Sequence, residues 1–171
     1  QSVFSTVHAK QQRTIVLRHL ETASRNVADG ERALVVLMER AQTHRMPLLS
    51  LLSTRPLQLQ AAHLSFQEFF AARAVCDGVK LTTAPWELPV WWANAVRLGI
   101  EMGGAFGSGL SSACGTRFKG KSVRLSVGGH RPTAAAALGA ALRAAPHVKD
   151  VLVDKYAIPL KQLRRESAGL S

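Results

Sequence analysis

Leu57 and Leu59 alternate with Gln58 and Gln60, the period-two pattern of a half-buried strand. Shortly after it, Phe66, Phe69, Phe70 and Ala74 recur at helical spacing, which predicts a helix over 65–75 with an aromatic stripe. Ser65 stands three residues before Glu68, the spacing of a capping box at the helix start. Upstream, Ala9, Val16, Leu20, Ala23 and Val27 form one stripe and predict a helix over 7–28, closed by Asp29-Gly30. Leu34, Leu37, Met38 and Ala41 predict a second helix over 31–44, ended by Pro47, which disfavours helix in the residue before it. The apolar run 48–52 is expected to be one helical turn leading to the strand.

Beyond residue 75 the pattern changes twice. Cys76-Asp77-Gly78 suits a helix end with glycine just past it. Pro89 suits the first turn of another helix, on which Trp92, Ala95, Val96, Gly99 and Met102 share a face. Trp86, Trp91 and Trp92 are expected to anchor that helix on the preceding one. Gly103, Gly104, Gly107 and Gly109 are read as loosening the next stretch, though Phe106 and Leu110 could bury a further short helix, with a domain junction near residue 110. The stretch 122–127 then alternates as a strand, Gly128-Gly129 turns, and Thr133 caps an alanine-rich helix through Ala145, with Leu138 and Leu142 paired on one face and Pro146 as the stop. Val148, Val151, Val153 and Ile158 fit leucine-rich-repeat spacing, and Val123 to Val151 is a step of 28 residues, as is Leu125 to Val153; repeats of this class run about 20–29 residues. Tyr156 stands where such repeats carry Asn. One and a half repeats also fall short of the roughly three needed for independent stability.

His63-Leu-Ser-Phe-Gln-Glu-Phe-Phe-Ala-Ala72, with the apolar Met46-Pro-Leu-Leu-Ser-Leu-Leu52 before it, resembles the segment that closes the winged-helix region of NACHT-type signalling ATPases, the nucleotide-binding leucine-rich-repeat receptors. Pro85-Trp-Glu-Leu-Pro-Val-Trp-Trp-Ala-Asn-Ala-Val96 and Gly99-Ile-Glu-Met-Gly103 are similar to a stretch after that helix in large NACHT-like proteins of algae and protists. The resemblance implies a mainly α fold with a small β component: a winged-helix and helical domain over 1–110, then an incomplete leucine-rich-repeat unit, strand-helix-strand, over 111–171. It also implies that His63 would contact the β-phosphate of ADP. ADP or ATP would be held only with the nucleotide-binding domain that precedes this region in the family, so no cofactor is expected for this chain by itself. A histidine bracing the start of the helix is the simpler reading of His63.

The chain has 171 residues, 47% of them hydrophobic, enough for one domain or two small ones with a real core. It opens on Gln1 rather than Met, as expected of a processed or excised piece. No apolar run nears the ~18 residues of a membrane span. Cys76 and Cys114 make no framework, and no His or Cys has metal-ligand spacing. A net charge of +11 invites an anionic partner. Yet no aromatic-basic interleaving accompanies it, so nucleic acid is the less favoured partner and a protein assembly the more favoured one.

Gly115, Gly120, Lys121 and Ser122 match the phosphate-loop pattern G-x-x-x-x-G-K-S. A working phosphate loop joins a strand to a helix N-terminus. Here the preceding residues make a poor strand and a strand is expected after Ser122, so the match reads as a decoy, a basic surface turn. Val151-Leu-Val-Asp154 imitates a Mg²⁺-binding strand end in the same way. No nucleophile, acid or base constellation is visible. The expected function is therefore non-catalytic: a cytoplasmic regulatory or scaffold piece of a NACHT-type protein. The alternative is a small basic linker subunit of a large assembly, a ribosome or an algal photosynthetic complex in an organelle such as the chloroplast. An NTPase using Lys121 is the third option.

Overall fold

β3 (Leu57–Ala61) runs between β1 (Thr14–Val16) and β2 (Leu49–Thr54) in an antiparallel sheet of order β1-β3-β2. The computed structural model describes residues 2–43, 45–81, 83–114, 122–125, 132–153 and 156–159. They form two units, 1–74 and 75–171. The chain is mostly helical, with a small β component.

The first unit follows the order α1 (Ser2–Ala9), β1, α2 (Leu17–Ser24), α3 (Gly30–Gln42), β2, β3, then α4 (Leu64–Cys76). Leu57, Leu59 and Ala61 point inward from β3, as the alternation predicts. They meet Phe4, Val7, Ile15, Leu20 and Ala41, with Leu34, Leu37 and Met38 of α3 packed against them. Phe4 stacks on Phe70 with ring centroids 5.1 Å apart.

Several expectations for this unit are corrected. Residues 7–28 are not one helix: α1 stops at Ala9, Gln11 takes a positive φ of 55°, and Thr14–Val16 forms an edge strand in register with Gln58, Leu59 and Gln60. Three consecutive β-branched residues favour the pleated strand over the crowded helix turn. Residues 48–52 are not a helical turn either. Leu49–Thr54 pairs with β3, and the register shifts between Leu51 and Ser53, so Leu52 is the extra residue of a bulge and faces solvent. A short apolar run has no period that separates strand from helix turn. α4 begins at Leu64 rather than Ser65. The Phe66 N–H already bonds the His63 carbonyl at 3.1 Å, which leaves Ser65 exposed inside the first turn. Of the aromatic stripe, Phe66 and Phe70 join the core while Phe69 is exposed.

The second unit packs α5 (Ala93–Glu101), α6 (Gly104–Ala113) and α7 (Pro132–Arg143) together. α4 ends at Cys76, with Gly78 at φ +78°, as its sequence predicts. Trp92, Ala95, Val96 and Gly99 are buried along α5. The glycines of α6 do not loosen it. A Cβ on Gly109 would overlap the Val75 carbonyl oxygen, and one on Gly107 would lie 2.7 Å from the Ala140 carbonyl, so these positions admit backbone at close range. Buried Ala137, Ala140 and Ala141 keep α7 equally slim. The units divide at Ala74/Val75, whereas the sequence placed the junction near residue 110; α5 and α6 both pack on α7 across that point.

β4 (Ser122–Leu125) pairs in parallel with β5 (Asp150–Val153), and α7 makes the crossover. Val123 faces Val151 and Leu125 faces Val153, the 28-residue step read from the sequence. β6 (Tyr156–Pro159) then returns antiparallel on β5. That strand occupies the edge on which a following repeat would add a parallel strand.

Candidate functional site

His63 immediately precedes α4 and is exposed. Its ring lies edge-on to Phe66, with centroids 5.8 Å apart, and its carbonyl accepts the Phe66 N–H. Ring and backbone together brace the start of the helix and leave the imidazole open to solvent.

Of the phosphate-loop-like residues, Gly115, Gly120 and Lys121 lie outside the described residues, as does Asp154. Ser122 opens β4, and α6 ends at Ala113. The order is helix before and strand after, the reverse of what places a helix N-terminus on a phosphate. Neither Cys76 nor Cys114 is in a disulfide. Cys76 Sγ contacts Met102 Sδ at 3.7 Å, and Cys114 Sγ donates to the Leu110 carbonyl at 3.2 Å. Among the described residues no group of three His, Cys, Asp or Glu could hold a metal ion, and no helix is long and apolar enough to cross a membrane.

The first unit holds a buried polar connection that periodicity does not reveal. Gln67 of α4 and His8 of α1 are both 0% exposed. Gln67 Nε2 donates to the Gln12 carbonyl at 2.7 Å and lies 3.4 Å from His8 Nδ1. A carbonyl only accepts, so the amide nitrogen must face Gln12; its second N–H then meets His8 Nδ1, which must be the bare acceptor nitrogen. The neutral ring carries its proton on Nε2. Burial lowers the His8 pKa from 6.5 to about 4, so the neutral form holds at neutral pH.

His19 is the third residue of α2, and its Nδ1 accepts the Val16 N–H at 3.4 Å. It plays the part that Glu or Gln plays in a capping box. Val16, an aliphatic residue, cannot supply the reciprocal bond. With Nδ1 accepting, the His19 proton also sits on Nε2. That buried N–H has no hydrogen-bond partner among the described residues, an omission that costs about 1–3 kcal/mol. Burial, then the charges of Lys10 and Arg18, lower the His19 pKa. All three side chains line a groove of about 390 Å³ between α1 and α2, with Thr6, Thr22 and Asn26. A second groove, of about 630 Å³ at the α2–α3 turn, mixes Glu21 and Glu31 with Arg25.

The exposed side of α3 is uncharged in sum and carries two valines. Val35 is 66% exposed and Val36 is also exposed, while Glu31 and Glu39 balance Arg32 and Arg40.

No family model matches the chain, and neither a curated protein nor a solved structure does. Its chemistry therefore rests on its own residues: an exposed imidazole ahead of α4, a basic groove on α2 and an aliphatic surface on α3.

Proposed function

We propose that the chain is a non-catalytic regulatory piece of a NACHT-type nucleotide-binding, leucine-rich-repeat protein, acting through protein–protein contact. The observation that carries this reading is the surface of α3. In helix-turn-helix DNA readers the second helix of the motif enters the major groove, and phosphate neutralisation by Lys and Arg supplies most of the affinity. The corresponding helix here has balanced charge and exposed Val35 and Val36, which suits the apolar centre of a protein interface. The motif at 63–72 heading α4, and the parallel β4–α7–β5 unit with its 28-residue step, support the same reading.

In this account His63 meets a nucleotide phosphate only when a nucleotide-binding domain precedes the chain. ADP or ATP is then a cofactor of the parent and not of this piece. The protein works in the cytoplasm, shifting its packing against the rest of its parent chain. A second reading, a basic linker subunit of a large organellar assembly, draws on the charge distribution: residues 115–131 hold five Lys or Arg and no acidic residue. Reading the parent transcript upstream of the Gln1 codon separates the two. An in-frame phosphate loop there is expected; a start codon or targeting leader directly ahead of Gln1 would contradict the regulatory reading.

A further inference from the structure

The groove between α1 and α2 is lined by Lys10, Arg18 and His19, with the hydroxyls of Thr6 and Thr22 and the amide of Asn26, and no carboxylate is among its lining residues. We infer that this groove binds the phosphate group of a small phosphorylated molecule through Lys10, Arg18 and the Nε2–H of His19. Three observations converge on it. The His19 tautomer is set by its bond from the Val16 N–H, which makes Nε2 the donor. His19 is 8% exposed, and that donor has no acceptor among the described residues. Lys10 and Arg18 line the same groove as His19, and their charges disfavour its protonated form.

A phosphate ester answers the chemistry on each count. Its oxygens accept the ring N–H, and its charge offsets the two cations that line the groove; charge-assisted bonds of this kind are the strong ones. Val3 and Ala23 add an apolar margin, and about 390 Å³ falls in the size range of small-molecule clefts. The site is distinct from His63, and it does not depend on the family reading of the chain.

The test is calorimetric titration of the full chain with inorganic phosphate, with ribose 5-phosphate and with a short DNA duplex, at constant ionic strength held with chloride. His19 ring resonances are followed alongside. Binding of phosphate and of the sugar phosphate near 1 mM or tighter is expected, a modest affinity on the usual scale. It should move the His19 Nε2 resonance and weaken at least about tenfold in a Lys10→Ala/Arg18→Ala variant. Both substituted residues are exposed, so the variant should keep its fold, checked by its melting curve. Tighter binding of the duplex that is lost in the same variant would support the phosphate site and name a nucleic-acid backbone as its source. Binding unchanged in the variant, an unmoved His19 resonance, or no response beyond that to chloride would overturn the inference.

Discussion

Gln67 donates to the carbonyl of Gln12 across 2.7 Å, and that bond fastens α4 to the turn between α1 and β1. The two residues are 55 positions apart in sequence. Gln67 is fully buried, and its removal would take away the donor that links α4 to the Gln12 carbonyl and to His8. Gln67→Leu should cost the first unit about 1–3 kcal/mol, read as a lower urea midpoint. A midpoint within about 0.5 kcal/mol of wild type, the range of ordinary surface substitutions, would mean the connection is idle.

The same connection makes the first unit sensitive to acid. His8 has a folded pKa of about 4 against 6.5 unfolded, so between those values the unfolded chain binds more protons. The stability His8 contributes is therefore complete above pH 6.5 and is lost as pH falls towards 4, by on the order of 3 kcal/mol. Protonation also sets an Nδ1–H against the Gln67 amide, donor against donor. Urea midpoints at pH 7, 5.5 and 4 should fall in that order, and His8→Leu should flatten the trend. An equal slope in both proteins would place the acid sensitivity elsewhere.

Glycines in α6 should separate by their surroundings. Gly109→Ala would drive a methyl into the Val75 carbonyl, and overpacking of this kind costs about 1–3 kcal/mol or more. Gly104→Ala meets open space and should be neutral or stabilise by up to about 1 kcal/mol. Melting curves of the two variants check the contrast; a reversal would mean that α6 does not approach the end of α4 as described.

On α3, Val35→Asp with Val36→Asp should leave the melting temperature of the chain nearly unchanged, since both side chains are exposed and surface changes are usually within about 0.5 kcal/mol. If α3 docks a protein, the pair should weaken association with the rest of the parent protein at least tenfold in a pull-down with defined partners. Unaltered association would move the docking face elsewhere.

How much of this was legible depended on whether one period dominated a stretch. Leu57 and Leu59 alternate cleanly, and β3 lies where that alternation put it. The 28-residue step from Val123 to Val151 became a parallel register, because equal spacing of branched residues is what two stacked strands need. Over 7–28 a helical stripe could be drawn through Ala9, Val16 and Leu20, yet Thr14-Ile15-Val16 already carried the competing strand preference. The run 48–52 had no period at all, and only its partner β3 decides it. The His8–Gln67–Gln12 connection was invisible because a buried glutamine breaks hydrophobic patterning, and its reason exists only once α1 and α4 are adjacent. The groove of Lys10, Arg18 and His19 was hidden for a related cause: the helix predicted over 7–28 left no turn to bring α1 back against α2.

Nucleotide binding tests the central claim most directly. ADP should bind this chain no more tightly than inorganic phosphate does, with any residual binding lost in Lys10→Ala/Arg18→Ala. Under the regulatory reading, a parent in which a nucleotide-binding domain precedes this chain should bind ADP and lose affinity on His63→Ala. Tight, stoichiometric ADP or ATP binding by the chain alone, abolished by Lys121→Ala, would contradict the account.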